Sequence, residues 1–86
     1  MIYTVTWKPA AEEELARLWV ASTDRQALAS AADQIDRELR EDPAHKGESR
    51  SGDARILILP PLQVTYRVLE EDRQVLVGAV KLLRQG

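Results

Sequence analysis

The chain contains no cysteine, which excludes a disulfide framework and any thiolate metal site. Its one histidine, His45, cannot complete a zinc site alone. Neither a metal nor a cofactor is expected. No apolar run approaches the roughly 20 residues that span a bilayer. The start "MIYTVTWKP" also lacks a basic segment leading into an apolar one, so a cytoplasmic location is the expectation. A basic excess is missing too: 12 Lys and Arg against 14 Asp and Glu leave a net charge of −2. Domains devoted to gripping phosphate usually carry a clear positive surplus.

What is there has a globular profile, 44% hydrophobic and 30% charged residues, which excludes a disordered or fibrous chain. A chain of 86 residues accommodates one domain, spanning 1–86, with a thin core that buries about 60–65% of the unfolded surface. Charge is unevenly placed. Acids predominate before residue 45, as in "EEE" at 12–14, whereas Lys46, Arg50, Arg55, Arg67, Arg73, Lys81 and Arg84 follow it. An anion-binding patch is therefore expected in the second half.

"MIYTVTW" alternates Tyr3, Val5 and Trp7 with Ile2, Thr4 and Thr6, the period of a half-buried strand. Pro9 suits a first helical turn, and Glu12, Glu13 and Glu14 suit the positive end of the helix dipole. Ala11, Leu15, Leu18 and Trp19 share a face of that helix. A second helix is predicted from Asp24, its N-cap, to Asp42, where Pro43 stops it. Its apolar stripe is Leu28, Ala32, Ile35 and Leu39, and the two helices are expected to form an antiparallel hairpin. "PAHKGESRSGDA", 43–54, reads as a mobile loop. Three strands follow, at 55–59, 62–69 and 74–83, with the double proline 60–61 and "EEDR" as turns. The order β-α-α-β-β-β predicts an α+β fold, with the N-terminal strand and the helical hairpin packed on an antiparallel sheet.

Three groups could carry chemistry. Gln63, Thr65 and Arg67 face away from the core on the strand 62–69, with Arg55 and Arg84 as possible neighbours. Such guanidinium groups could hold an RNA phosphate, or they could be the polar side of a solvated sheet. His45, Lys46, Glu48 and Arg50 lie in the loop, where Glu48 or His45 could serve as acid or base, or simply face solvent. Tyr3, Trp7, Trp19 and Tyr66 could stack bases, but their positions on core-facing stripes favour packing. The face opposite the core looks unusually apolar, with Leu57, Leu59, Leu76 and Val80 assigned to it. That much apolar sheet predicts a protein partner, docked as a helix in a groove or as an added strand.

The succession of "WKPAAEEELARLW", "IDRELREDP", a glycine and "RIL", "VTYRV", "EEDR" and "VLVGAVKLLR" resembles the RelE/ParE superfamily of toxins from type II toxin–antitoxin modules, over nearly the whole chain. The resemblance implies a small cytoplasmic toxin neutralised by an antitoxin. RelE-like members cut mRNA in the ribosomal A site, and ParE-like members poison DNA gyrase, so the target implied is ribosome and mRNA, or gyrase. A toxin-fold protein that only binds its antitoxin is a third alternative. The nuclease branch expects cations on the second strand, an arginine ahead of the tyrosine of the third, and a late arginine with tyrosine or histidine. Here those positions read Ile56 and Ile58, Gln63, and a tail with Lys81 and Arg84 but no late Tyr or His. The catalytic candidates this leaves are Arg55, Arg67, Arg84 and Glu48.

Overall fold

In the computed structural model, which describes residues 2–50 and 52–83, the alternating N-terminal segment forms β1 (Thr4–Trp7). Pro9 opens α1 (Pro9–Ala21), and α2 runs Arg25–Glu41. A 3-10 turn at Pro43–His45 precedes β2 (Glu48–Ser49), β3 (Ala54–Leu59), β4 (Leu62–Leu69) and β5 (Gln74–Leu82).

The helix boundaries follow the capping chemistry. Asp24 caps α2 by accepting the Ala27 N–H at 3.1 Å. Arg25 closes α1 from the other side, donating Nε to the Trp19 carbonyl at 3.0 Å and Nη2 to that of Val20 at 3.4 Å. Both are last-turn carbonyls, that of Trp19 otherwise taking only the Ser22 N–H at 3.3 Å. Along α2, Asp33 pairs with Arg37 at 3.4 Å and Asp36 with Arg40, each acid four residues before its cation.

The five strands form one sheet in the order β1-β5-β4-β3-β2. It is mixed: β1 joins the edge parallel to β5, and the remaining pairs are antiparallel. Both helices lie on one face, α1 against β5 and α2 against β1, β3 and β4. The core between them contains Ala11, Leu28, Ala31, Ile35 and Leu39 from the helices and Leu62, Val64, Tyr66, Val75 and Val77 from the sheet. It also contains Leu57 and Val80, 7% and 6% exposed, which corrects their assignment to the opposite face. The two-residue turn at Pro60 and Pro61 pairs Leu59 with Leu62 and Leu57 with Val64, which sends both leucines inward. A bulge in β5 aligns Tyr66 with Val77 but Thr65 with Ala79. Gly78 is the extra residue, and the shift turns Val80 back to the core.

The segment 43–54 is not a free loop. Pro43 is buried, β2 pairs with β3, and Gly47 turns the chain tightly at φ +63°. A Cβ at Gly47 would lie 2.1 Å from the Ile56 carbonyl oxygen, so only glycine fits there.

Candidate functional site

The sheet separates the predicted site residues onto two faces, because direct cross-strand partners point the same way. Arg55 pairs with Tyr66 and so lies on the helix side. Its guanidinium donates to the Lys46 carbonyl from Nε at 3.1 Å and Nη2 at 3.0 Å, and to the Gly47 carbonyl at 3.3 Å. The Tyr66 hydroxyl is shared between the carbonyls of Pro43 at 2.8 Å and Lys46 at 2.7 Å. Together the two side chains fasten the segment that ends in β2. Burial pushes the Tyr66 phenol above its ordinary value, and the neighbouring Arg55 offsets part of that rise. Arg55 therefore does not join Gln63, Thr65 and Arg67 as the sequence suggested.

Beyond a row of Leu69, Gln74 and Thr4 next to the β4–β5 turn, the opposite, open face is built from three rows. Ala54, Arg67, Leu76 and Thr6 form the first, and Glu48, Ile56, Thr65 and Ala79 the second. Ile58, Gln63 and Lys81 form the third. Glu48 thus belongs to a strand of this face rather than to a solvated loop, and its carboxylate meets Arg50 at 3.4 Å. Two strand spacings separate it from Thr65, about 10 Å. Arg84 lies outside the described residues. The larger apolar side chains on this face are Ile56, Ile58, Leu69 and Leu76, with Ile58 48% exposed.

The open face gathers the unpaired cations. Elsewhere cations are engaged: Arg17 with Glu14, Arg37 with Asp33, Arg40 with Asp36, Lys46 with Glu38 and Arg50 with Glu48. Arg25 and Arg55 donate to carbonyls. Lys8, Arg67 and Lys81 have no carboxylate or hydrogen-bond partner for their side-chain nitrogens among the described residues, and all three border this face. A depression of about 200 Å³ contains Lys8, Thr65, Arg67, Leu76 and Gly78. A second, of about 160 Å³, contains Gln63, Thr65, Ala79 and Lys81. Thr65 lines both. Lys8 lies outside the second half of the chain, where the sequence concentrates its cations. Carrying the alternation of Thr4 and Thr6 one step further would have placed it on this side.

On the other face the helices do not close into a tight hairpin. A groove of about 730 Å³ separates them, lined by Trp7, Leu15, Trp19, Leu28 and Ala32, with Glu12, Asp33 and Asp36 among its polar residues. Trp19 is 41% exposed and Val20 73%, so Trp19 forms a groove wall and not core. Its ring lies 6.0 Å from the Arg25 guanidinium carbon. Tyr3 and Trp7 are half-buried against the core, and Tyr66 is inside it.

Solved structures define the class of fold. The RelBE2 toxin–antitoxin complex from Mycobacterium tuberculosis aligns with a TM-score of 0.76 at 20% identity, over 95% of this chain and 99% of that one. The isolated E. coli RelE toxin aligns at 0.69 and 21% identity, over 98% and 87%. The chromosomal ParDE system from P. aeruginosa aligns at 0.67 and 15%, over 96% and 98%. The chain has the RelE/ParE toxin fold, of the α+β class. No protein-family model and no curated protein sequence matches it.

Proposed function

We propose that this chain is the toxin of a type II toxin–antitoxin pair, acting as a RelE-like endoribonuclease on mRNA at the ribosome. The observation that carries the reading is the open sheet face, where, among the described residues, Lys8, Arg67 and Lys81 lack counter-ions while cations elsewhere are engaged. Unpaired cations around shallow depressions suit a polyanion, and Thr65 and Gln63 of the central strand β4 add hydrogen-bonding groups between them. In the proposed reaction a ribose 2′-hydroxyl attacks the adjacent phosphorus to form a 2′,3′-cyclic phosphate, and the bond to the 5′-oxygen breaks as that oxygen takes a proton from water. Arg67 stabilises the charge that builds on the phosphate oxygens, and Lys81 holds a neighbouring phosphate. Glu48, on the same face, is the proposed proton acceptor. Arg84, outside the described residues, remains a proposed contributor, whereas Arg55 serves by holding the segment that carries Glu48.

Neutralisation by a protein antitoxin in the cytoplasm completes the proposal. Toxin–antitoxin complexes among the structural neighbours support it, and the apolar groove beside Trp19 offers a helix somewhere to bury its apolar stripe. No helix among the described residues is long and apolar enough to cross a membrane.

A second reading, a non-enzymatic inhibitor of DNA gyrase, is favoured by one feature. Ile56 and Ile58 give the β3 part of the open face an apolar surface suited to a protein target. Induced expression of the chain alone should arrest growth, and co-expression of the protein encoded beside it should restore growth. Unimpeded growth after confirmed accumulation of folded chain would refute a toxin of either kind.

A further inference from the structure

Lys8 sits at the junction of β1 and α1, where its backbone is extended, at φ −63° and ψ 152°. Its N–H donates to the Val77 carbonyl at 2.8 Å, which fixes the residue against β5 immediately before the bulge. From there its aliphatic stem runs over Gly78. A Cβ built on that glycine would lie 3.9 Å from the Lys8 Cδ and meet nothing else within 4 Å. Gly78 is therefore not required by a turn or by a clash. Its bareness leaves open the floor of the depression that Lys8, Arg67 and Thr65 surround.

We infer that Lys8 is a phosphate ligand, clamping one phosphate of single-stranded RNA against Arg67 over the bare Gly78. The inference rests on the proposed RNA-directed reading and adds to it a residue from the N-terminal half. Arg67 supplies a planar fork that can meet two phosphate oxygens, and Lys8 a mobile ammonium that approaches from the neighbouring strand. Thr65 joins this subsite to that of Lys81 and Gln63. Three residues along β5 separate Gly78 from Lys81, about 10 Å, so one strand of backbone crosses both depressions and presents a different phosphate to each.

The test is anisotropy of a fluorescein-labelled hexauridylate with the purified full chain, titrated across a series of salt concentrations. Each phosphate neutralised on a single strand contributes about −0.7 to the slope of log K against log salt. Lys8→Gln should flatten the wild-type slope by about 0.7 and weaken binding several-fold. Lys8→Arg should keep both near wild type. Arg17→Gln, which removes a cation paired with Glu14 on the outer side of α1, should change neither. Thermal melts of each variant keep a folding defect from being read as a binding defect. The inference is overturned if wild type does not bind, if Lys8→Gln retains the wild-type slope and affinity, or if Lys8→Arg or Arg17→Gln loses as much as Lys8→Gln. Binding through Lys8 by a chain that never slows growth would sink the toxin reading and leave the clamp standing. Ribosomal mRNA cleavage that is indifferent to Lys8 would do the reverse.

Discussion

Arg67→Ala is expected to abolish growth arrest while leaving the fold intact. The guanidinium is exposed on β4 and has no partner to orphan among the described residues, so its loss should change stability by no more than about 0.5 kcal/mol. Its proposed work is done in the transition state, where removing one preorganised charge-stabilising donor typically costs about 100- to 1,000-fold in rate. Arg67→Lys should keep the charge but lose the fork and recover only part of the activity. Arg55→Ala gives the contrasting pattern. That side chain holds the carbonyls of Lys46 and Gly47, so any loss of toxicity should come with a lower melting temperature. The comparison is made by growth curves of induced cultures alongside thermal melts of the purified variants. Full toxicity in the Arg67→Ala strain would move the target from RNA to a protein and favour the apolar surface around Ile58.

The largest stability effect should come from Tyr66→Phe. The ring stays in the core, 1% exposed, but the carbonyls of Pro43 and Lys46 lose the hydroxyl they share. Leaving buried acceptors without their donor costs about 1–3 kcal/mol. In a domain of this size each kcal/mol lowers the melting temperature by about 4–8 °C. The same contact dictates a pH dependence. Because the folded-state phenol titrates above its ordinary value of 10.0, its stabilising contribution is complete below that pH. It declines as pH rises beyond 10.0, where the unfolded chain ionises first, and is gone once pH passes the folded-state value. Tyr3 acts in the same direction, its phenol raised by donating to Glu70 at 2.9 Å. Tyr66→Phe should therefore be less stable than wild type at neutral pH and lose less on going to alkaline pH. Chemical denaturation at pH 7 and pH 11 checks both. An unchanged alkaline loss would mean that Tyr66 does not govern this transition.

Where one local pattern decided the structure, it was legible in the sequence. The alternation of Leu62, Val64 and Tyr66 with Gln63, Thr65 and Arg67 gives β4 its two faces. Pro9, Asp24 and Pro43 mark the helix ends. What the sequence did not disclose depends on partners distant along the chain. "RILIL" is apolar at every position after Arg55, so its own period cannot say whether Leu57 or Ile58 faces inward. That is settled by the turn that pairs Leu59 with Leu62. Val80 turns inward only because Gly78 is accommodated as a bulge. The polar stretch 43–54 looks like solvent-exposed loop until Arg55 and Tyr66 reach back to its carbonyls. In the same way the candidate site was half visible. Alternation alone places Thr65, Arg67 and Gln63 on the open face, whereas Arg55 turns to the helix side through its pairing with Tyr66 and Lys8 is hidden by its distance in sequence.

The central claim, that the open sheet face acts on mRNA, is tested most directly by mapping mRNA 5′ ends on ribosomes after induction of the chain without its partner. The account predicts new ends at codon-periodic positions within minutes of induction, absent from cultures expressing Arg67→Ala at the same level. Growth arrest with mRNA ends unchanged from the uninduced culture would contradict it.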